Sequence, residues 1–117
     1  MHERSLVRAL LRQVEGLAEA HSSRRVLSIR VRIGEFSGVV PELLASAYEE
    51  LKTDTTLRDA TLDLEQTPLE AACKQCGNEF RIERFKFECD RCGSAELTIR
   101  GGEEMLLDSV TMEETRL

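Results

Sequence analysis

The length, composition and charge of the chain exclude several classes of protein. Its 117 residues, 41% hydrophobic and 4% aromatic, suffice for one modest aliphatic core and a small satellite that needs its own metal or disulfide staple. The formal net charge of −6 argues against a general nucleic-acid-binding protein, which normally presents a basic face. Neither a membrane-length apolar run nor a signal-peptide pattern occurs, so we expect a cytoplasmic protein without membrane attachment.

An amphipathic helix is predicted at the start of the chain. Its apolar residues recur at spacings of three and four: Leu6, Val7, Leu10, Leu11, Val14, Leu17 and Ala18. Arginines and glutamates fill much of the other side, which is a solvated face or a docking surface for an acidic partner. We expect the helix to end near His21, where the imidazole can cap the last carbonyl groups.

The next elements predict a three-stranded sheet backed by two helices. Residues 27–33 alternate between apolar and polar side chains, as in a strand with one dry and one wet face. Pro41 suits the first turn of a second helix. Two more strands are expected at about residues 61–66 and 103–112. The predicted fold class is therefore α+β.

The chain is expected to leave this sheet near Thr67 and return near Gly101, because the cysteine-rich segment lies between the last two strands. We therefore predict two domains. Residues 1–68 and 101–117 form an α/β domain, and residues 69–100 form an inserted, zinc-ribbon-like lobe on two flexible crossings.

The cysteines predict a metal site in the inserted lobe. All four belong to two Cys-x-x-Cys pairs, each followed by glycine: Cys73, Cys76, Cys89 and Cys92. Four thiolates at this spacing can close a tetrahedral shell around one ion, and backbone amides of the turns can point at the sulfurs. Zinc is preferred, and iron, as in rubredoxin-like carriers, is the alternative. Because a closed shell leaves no position for substrate, the metal is expected to be structural.

Apolar residues between the two cysteine pairs predict a small hairpin packed beside the metal. They are Phe80, Ile82, Phe85 and Phe87. Phenylalanine rings can also stack on nucleic-acid bases. Residues 73–92 hold five basic and four acidic side chains, which is no electrostatic footprint for DNA or RNA.

The first three residues, Met1, His2 and Glu3, allow two interpretations. In one, Glu3 favours the positive end of a helix and His2 is an ordinary terminal residue. In the other, the α-amine, the backbone nitrogen and imidazole of His2, and the backbone amide of Glu3 form a square of nitrogen donors. Ni(II) and Cu(II) favour that geometry, whereas Zn(II) has no such preference.

Together these features resemble the hydrogenase nickel-incorporation family (HypA/HybF). The resemblance spans essentially the whole chain and rests on four separated motifs. They are Met1-His2-Glu3 with Leu6, the segment Arg32–Val39 followed by Pro41-Glu42, the two cysteine pairs, and Gly102-Glu103-Glu104-Met105. The resemblance implies a nickel metallochaperone with a nickel site on His2, helped by the Met1 amine and the Glu3 backbone. It also implies structural zinc on the four cysteines.

Partners also follow from the resemblance. The family passes nickel to the [NiFe] hydrogenase large-subunit precursor in cooperation with a GTPase. This chain has no Gly-x-x-x-x-Gly-Lys-Ser/Thr segment, so nucleotide hydrolysis would belong to another chain. No nucleophile–base pair is evident, so the chain is not expected to be an enzyme. A monomer or a dimer, including a domain-swapped one, is expected.

Three further points concern the histidines, two glutamates and the alternative functions. Some relatives have histidines beside their cysteine pairs, but this chain has only His2 and His21, so exchange of histidine for cysteine at zinc is not expected. Glu35 and Glu42 are solvated acids, or they form a polar surface near the nickel end or a partner contact. The alternative functions are a zinc-ribbon adaptor that docks proteins or nucleic acid and a small iron–thiolate electron carrier.

Overall fold

The computed structural model describes residues 3–21 and 25–113 and confirms the predicted α+β class. Two helices and six strands follow one another, with a short 3-10 turn at Lys52–Asp54 after the second helix. The elements are α1 (Glu3–Ala20), β1 (Val26–Gly34), α2 (Pro41–Leu51), β2 (Thr61–Thr67), β3 (Glu70–Cys73), β4 (Glu79–Arg81), β5 (Leu97–Gly101) and β6 (Met105–Met112). Neither described helix is long and apolar enough to cross a bilayer.

The main sheet has the strand order β2-β1-β6. Strand β1 pairs with β2 in parallel through the α2 crossover and with β6 in the antiparallel direction, so that Val31 faces Leu64 on one side and Leu107 on the other. Both helices cover one face of this sheet. The resulting core is aliphatic apart from one tyrosine: Val7, Leu10, Leu11, Val14, Val26, Ile29, Val31, Ile33, Leu44, Ala47, Tyr48, Leu57 and Ala60.

The opposite face of the main sheet is charged, as the alternation in β1 predicts. Arg30 lies 2.9 Å from Glu65, and Arg32 lies 3.3 Å from Asp108, each pair crossing to a neighbouring strand. Exposed ion pairs of this kind contribute little stability, roughly 0–1 kcal/mol each. Their main effect is to keep this face of the sheet solvated.

The inserted lobe has its own three-stranded sheet, in the order β4-β3-β5. Leu69, Ala71 and Ile82 form its small buried core, with Phe80, Leu97 and Ile99 packed against them. The prediction of a hairpin between the cysteine pairs is wrong, because only β4 lies between them and it pairs with β3, the central strand, which ends at Cys73 and also pairs with β5.

Phe85 and Phe87 also differ from the prediction, since both rings are exposed and neither belongs to the core of the lobe. Their ring centroids lie 5.8 and 5.7 Å from that of Phe36, which belongs to the loop after β1. The two rings therefore contact the loop after β1, and aromatic side chains cluster there, between the main sheet and the inserted lobe.

The two crossings between domain and lobe are tightly packed against the end of β1. The backbone N–H groups of Gly34, Glu35 and Phe36 donate to the carbonyls of Glu104, Thr67 and Gly102, at 2.7, 2.9 and 2.7 Å respectively. A Cβ on Gly34 would lie 2.2 Å from the carbonyl oxygen of Gly102, so only glycine permits this approach. Three chain segments are therefore hydrogen-bonded together at the crossings, whose flexibility stays a prediction.

Candidate metal centres

The four cysteines converge at the tip of the lobe. Their four sulfur atoms all lie within 4.8 Å of one another. The sulfurs of Cys73 and Cys92 are 3.6 Å apart, as are those of Cys76 and Cys89. A tetrahedron with metal–sulfur bonds of about 2.3 Å has edges of about 3.8 Å, so the donor set fits one tetrahedral ion. Cys73 and Cys89 are buried, and Cys76 and Cys92 are exposed.

Local turns hold each cysteine pair in this arrangement. Gly77 N donates to Cys73 O and Gly93 N donates to Cys89 O, both at 2.9 Å. Each of these glycines has a positive φ, 76° and 77°, which a side chain would strain. The Cys92 amide also donates to the Cys89 sulfur at 3.4 Å, which confirms that the turns aim backbone amides at sulfur.

These amides shift the pKa values of the thiols in opposite directions. For Cys73, the backbone N–H of Cys76 lowers the pKa. For Cys89, burial raises the pKa, but N–H donors from Cys92 and Arg91 outweigh it and bring the pKa to about 6. The first thiol of each pair is therefore favoured as a thiolate, the form that binds metal.

The second thiol of each pair behaves differently. Each accepts a backbone hydrogen bond that lowers its pKa, but burial and the neighbouring thiols raise the pKa more, to about 12 for Cys92. Four negative charges this close repel one another, whereas a divalent cation offsets that repulsion and favours deprotonation of all four.

Asn78 is a supporting residue that the sequence analysis missed. Its side-chain amide lies 3.7 Å from the Cys89 sulfur and 2.5 Å from a carboxylate oxygen of Asp90. It therefore ties the first cysteine turn to the second. The only available signal was an amide-bearing residue directly after the Cys-x-x-Cys-Gly turn.

The predicted nickel site lies mostly outside the described residues, because the structure describes neither Met1 nor His2. Glu3 is the first residue of α1, and its carboxylate accepts a long hydrogen bond of 3.5 Å from the backbone N–H of Val40, the residue before α2. In the same turn, Arg4 forms a 2.8 Å ion pair with Glu50. The start of α1 is thus attached to α2 at two points.

The remaining predicted polar residues fall in three different places. His21 caps α1, as predicted, because its Nδ1 lies 2.8 Å from the carbonyl oxygen of Leu17. Glu42 is exposed in the first turn of α2. Glu35 instead bridges the main sheet and the inserted lobe. Its carboxylate accepts a hydrogen bond from the backbone N–H of Leu69 at 3.1 Å and lies 3.5 Å from Arg81. No pattern in the sequence predicts this bridge.

The fold and the four-cysteine cluster define a class, namely small α+β metal-binding proteins with an inserted ribbon-like lobe. Comparisons with known proteins narrow the class. Residues 1–112 match the sequence profile of the family described as "Hydrogenase/urease nickel incorporation, metallochaperone, hypA". The hydrogenase maturation factor HypA of Nitrosospira multiformis is 38% identical over 96% of this chain and 97% of its own length. That of Wolinella succinogenes is 39% identical over 97% and 96%.

Solved structures agree with these sequence matches. A solution structure described as the Ni metallochaperone HypA from Helicobacter pylori superimposes with a TM-score of 0.70 at 32% identity, covering 96% of this chain and 97% of the other. A second solution structure, of a HypA protein, gives a TM-score of 0.75 at 31% identity and covers 97% of both chains. The chain therefore belongs to the HypA family of nickel-incorporation metallochaperones, which act in hydrogenase maturation.

Proposed function

We propose that this protein binds Ni(II) at its amino terminus and delivers the ion to the [NiFe] hydrogenase large-subunit precursor, in cooperation with a separate GTPase. It acts by binding and transfer, without catalytic turnover. The observation that carries the proposal is the match of the nickel-incorporation family profile to residues 1–112, which include Met1-His2-Glu3. The coordination chemistry of that stretch suits nickel.

The proposed nickel ligands are the Met1 amine, the backbone nitrogen and imidazole of His2, and the backbone nitrogen of Glu3. The first N–H groups of a helix have no intrahelical acceptor, so helix formation leaves the nitrogen of Glu3 available. Two deprotonated amides also neutralise the charge of the divalent ion. A neutral complex avoids the repulsion that a cation would meet at the positive end of a helix.

The proposed role of the lobe is structural. Cys73, Cys76, Cys89 and Cys92 would hold Zn(II), which supplies the folding free energy that a core of three buried residues cannot. We also propose that residues 69–100 form a separate domain from residues 1–68 and 101–117. Thiolates persist in reducing compartments, so the proposed location is the cytoplasm.

The test of this function is nickel binding by untagged protein beside the His2→Ala variant. The natural chain is expected to bind about one Ni(II) with a planar nitrogen-donor spectrum. The variant is expected to lose that ion and keep its fold and its zinc. His21→Ala is the matched control, because it removes the other histidine, and its nickel binding is expected to be unchanged. Unaltered nickel affinity in His2→Ala would refute the terminal site.

The alternative function is a zinc-ribbon adaptor in which the amino terminus has no metal role. Cells that lack this protein distinguish the two. A metallochaperone deletion is expected to lose hydrogenase activity and to regain much of it when nickel is added to the medium. Loss that added nickel does not relieve would favour the adaptor.

A further inference from the structure

The end of the molecule from which α1 begins combines exposed apolar and basic side chains. A cleft of about 540 Å³ lies between α1 and α2 and is lined by Glu3, Arg8, Leu43 and Ser46 among others. Leu43 is 55% exposed at this cleft, and Val40, one helical turn before it, is 43% exposed. Solvent thus reaches two aliphatic side chains beside the first described turn of the chain.

Basic and acidic side chains share this surface, since Arg4 and Arg8 are matched in number by Glu3 and Glu50 in the lining of the cleft. Arg4, Arg8 and Arg12 are spaced by four on α1 and therefore lie along one side of the helix. Glu50 pairs with Arg4. Within residues 3–21 and 25–113, neither Arg8 nor Arg12 forms an ion pair. Arg8 and Arg12, both exposed, can therefore form ion pairs with carboxylates of another protein.

Cargo transfer determines which surface a recipient must cover. A metal ion passes directly between two proteins only when ligands of both can contact it at once, so the nickel end must lie inside the interface. A standard interface buries about 800 Å² per partner, equivalent to a disc of about 16 Å radius. Glu3 is bonded to His2, Val40 touches the Glu3 carboxylate, and Arg8 lies about 7.5 Å farther along α1. All of these residues fall within such a disc.

We propose that the cleft between α1 and α2 is the docking surface for the protein that accepts the nickel ion. Leu43 and Val40 would receive an apolar side chain of the acceptor, and Arg8 and Arg12 would face its carboxylates. The acceptor is thus a protein that presents carboxylates beside an apolar anchor. This inference rests on the proposed function, which identifies the acceptor as the hydrogenase large-subunit precursor.

The test measures binding of untagged protein to the purified large-subunit precursor and transfer of nickel between them. Leu43→Asp and Arg8→Glu are each expected to weaken binding about tenfold and to slow transfer, because the first removes the apolar contact and the second sets a carboxylate against a carboxylate. Arg8→Glu is also expected to reduce the salt dependence of the association rate. Nickel stoichiometry of both free variants is expected to be unchanged.

Matched controls lie elsewhere on the surface. Leu106 is 52% exposed on the charged face of the sheet, away from the helices, so Leu106→Asp makes the same chemical change outside the cleft. Arg58→Glu is the control for the charge reversal at Arg8, because Arg58 follows α2 and lines a different cleft. Both controls are expected to bind the precursor and transfer nickel like the natural chain. Circular dichroism of all four variants verifies that they fold.

Three outcomes would overturn the inference. One is normal binding and transfer by both cleft variants, and another is equal weakening by the controls. The third is weaker binding of the GTPase with unchanged binding of the precursor, because the cleft would then serve a different partner. Failure of the nickel site is distinguishable from failure of the docking surface, because binding of the precursor is also measured without metal. A His2→Ala protein that retained nickel would refute the proposed function. The cleft variants would still decide whether the cleft binds the precursor.

Discussion

Glu35 follows a strand of the main sheet, Arg81 belongs to the inserted lobe, and their side chains meet at 3.5 Å. The same carboxylate accepts a hydrogen bond from the backbone of Leu69, where the chain crosses into the lobe. Beside it, Phe36 contacts Phe85 and Phe87. A polar clasp and an aromatic contact thus attach the lobe to the same loop that leads to Val40, whose backbone N–H contacts Glu3 at the start of α1.

Removal of the clasp is expected to loosen the lobe. Glu35→Ala leaves the Leu69 N–H without its acceptor and Arg81 without its partner, so the free energy of unfolding is expected to fall by about 1–3 kcal/mol. The distribution of distances between one spin label beside the main sheet and another on the inserted lobe should also become broader. Glu79→Ala is the control, because Glu79 is exposed and makes no side-chain bond among the described residues. A Glu35→Ala protein with natural stability and a single narrow distance would refute the clasp.

Two glycine substitutions are expected to act in opposite directions. Gly34→Ala drives a Cβ into the backbone of Gly102 and is expected to destabilise the protein by about 1–3 kcal/mol, because backbone cannot move aside. Gly16→Ala makes the same change inside α1, where nothing lies within 4 Å, and is expected to stabilise by about 0.5–1 kcal/mol. Chemical denaturation measures both. Equal effects of the same sign would contradict the close packing at Gly34.

Loss of one metal ligand is expected to unfold the lobe selectively. Cys73→Ser removes a buried sulfur, and structural zinc contributes about 10 kcal/mol or more to the folding of comparable peptides. The variant should bind no zinc and lose amide-exchange protection in residues 69–100, while α1 and α2 keep theirs. Lys74→Ser, an exposed position in the same turn, is the control. Collapse of both regions together would refute the two-domain division.

The amino group of Met1 is expected to be essential for nickel. An N-terminal extension converts that amine into an ordinary amide and removes one of four nitrogen donors, so nickel affinity should drop as in His2→Ala. A tag of the same sequence on the carboxyl terminus is the control. Isothermal titration with Ni(II) compares the two proteins. If the extended protein bound nickel as tightly as the control, the amine would not be a ligand.

Stability at alkaline pH is expected to depend on Tyr48. Burial and the nearby charge of Glu49 raise the pKa of this phenol to about 12, from an ordinary value of about 10. A raised pKa in the folded state means that the phenol stabilises the fold fully below pH 10 and loses this effect as the pH rises through 12. The unfolding free energy should therefore fall over that window.

Tyr48→Phe isolates this contribution. The variant loses the 2.8 Å hydrogen bond to the carbonyl of Ala60, which should cost about 1 kcal/mol at neutral pH. Its deficit relative to the natural chain should shrink at about pH 11. The chain has one tyrosine and no tryptophan, so phenolate absorbance reports this group alone. Titration of the folded protein with a midpoint near 10 would contradict the buried environment.

Local patterns predicted most of the architecture. The spacing of apolar residues gave both helices and the strands of the main sheet, because one buried face imposes a strict period. The cysteine spacing predicted the sulfur cluster for a similar reason, since a Cys-x-x-Cys-Gly turn fixes its own geometry. Glu35 and Arg81 are 46 positions apart, and no periodicity links them. Phe85 and Phe87 were misassigned because hydrophobicity predicts burial but does not specify the partner.

The place of β6 in the sheet has a consequence for biosynthesis. This strand completes the main sheet beside β1, yet it follows the whole cysteine segment in the chain. A ribosome must therefore produce both cysteine turns before the last edge of the main sheet exists. The nascent lobe can thus bring its four cysteines together while the main sheet is still unfinished, so an organism starved of the proposed zinc is expected to accumulate chains that fail at this early stage.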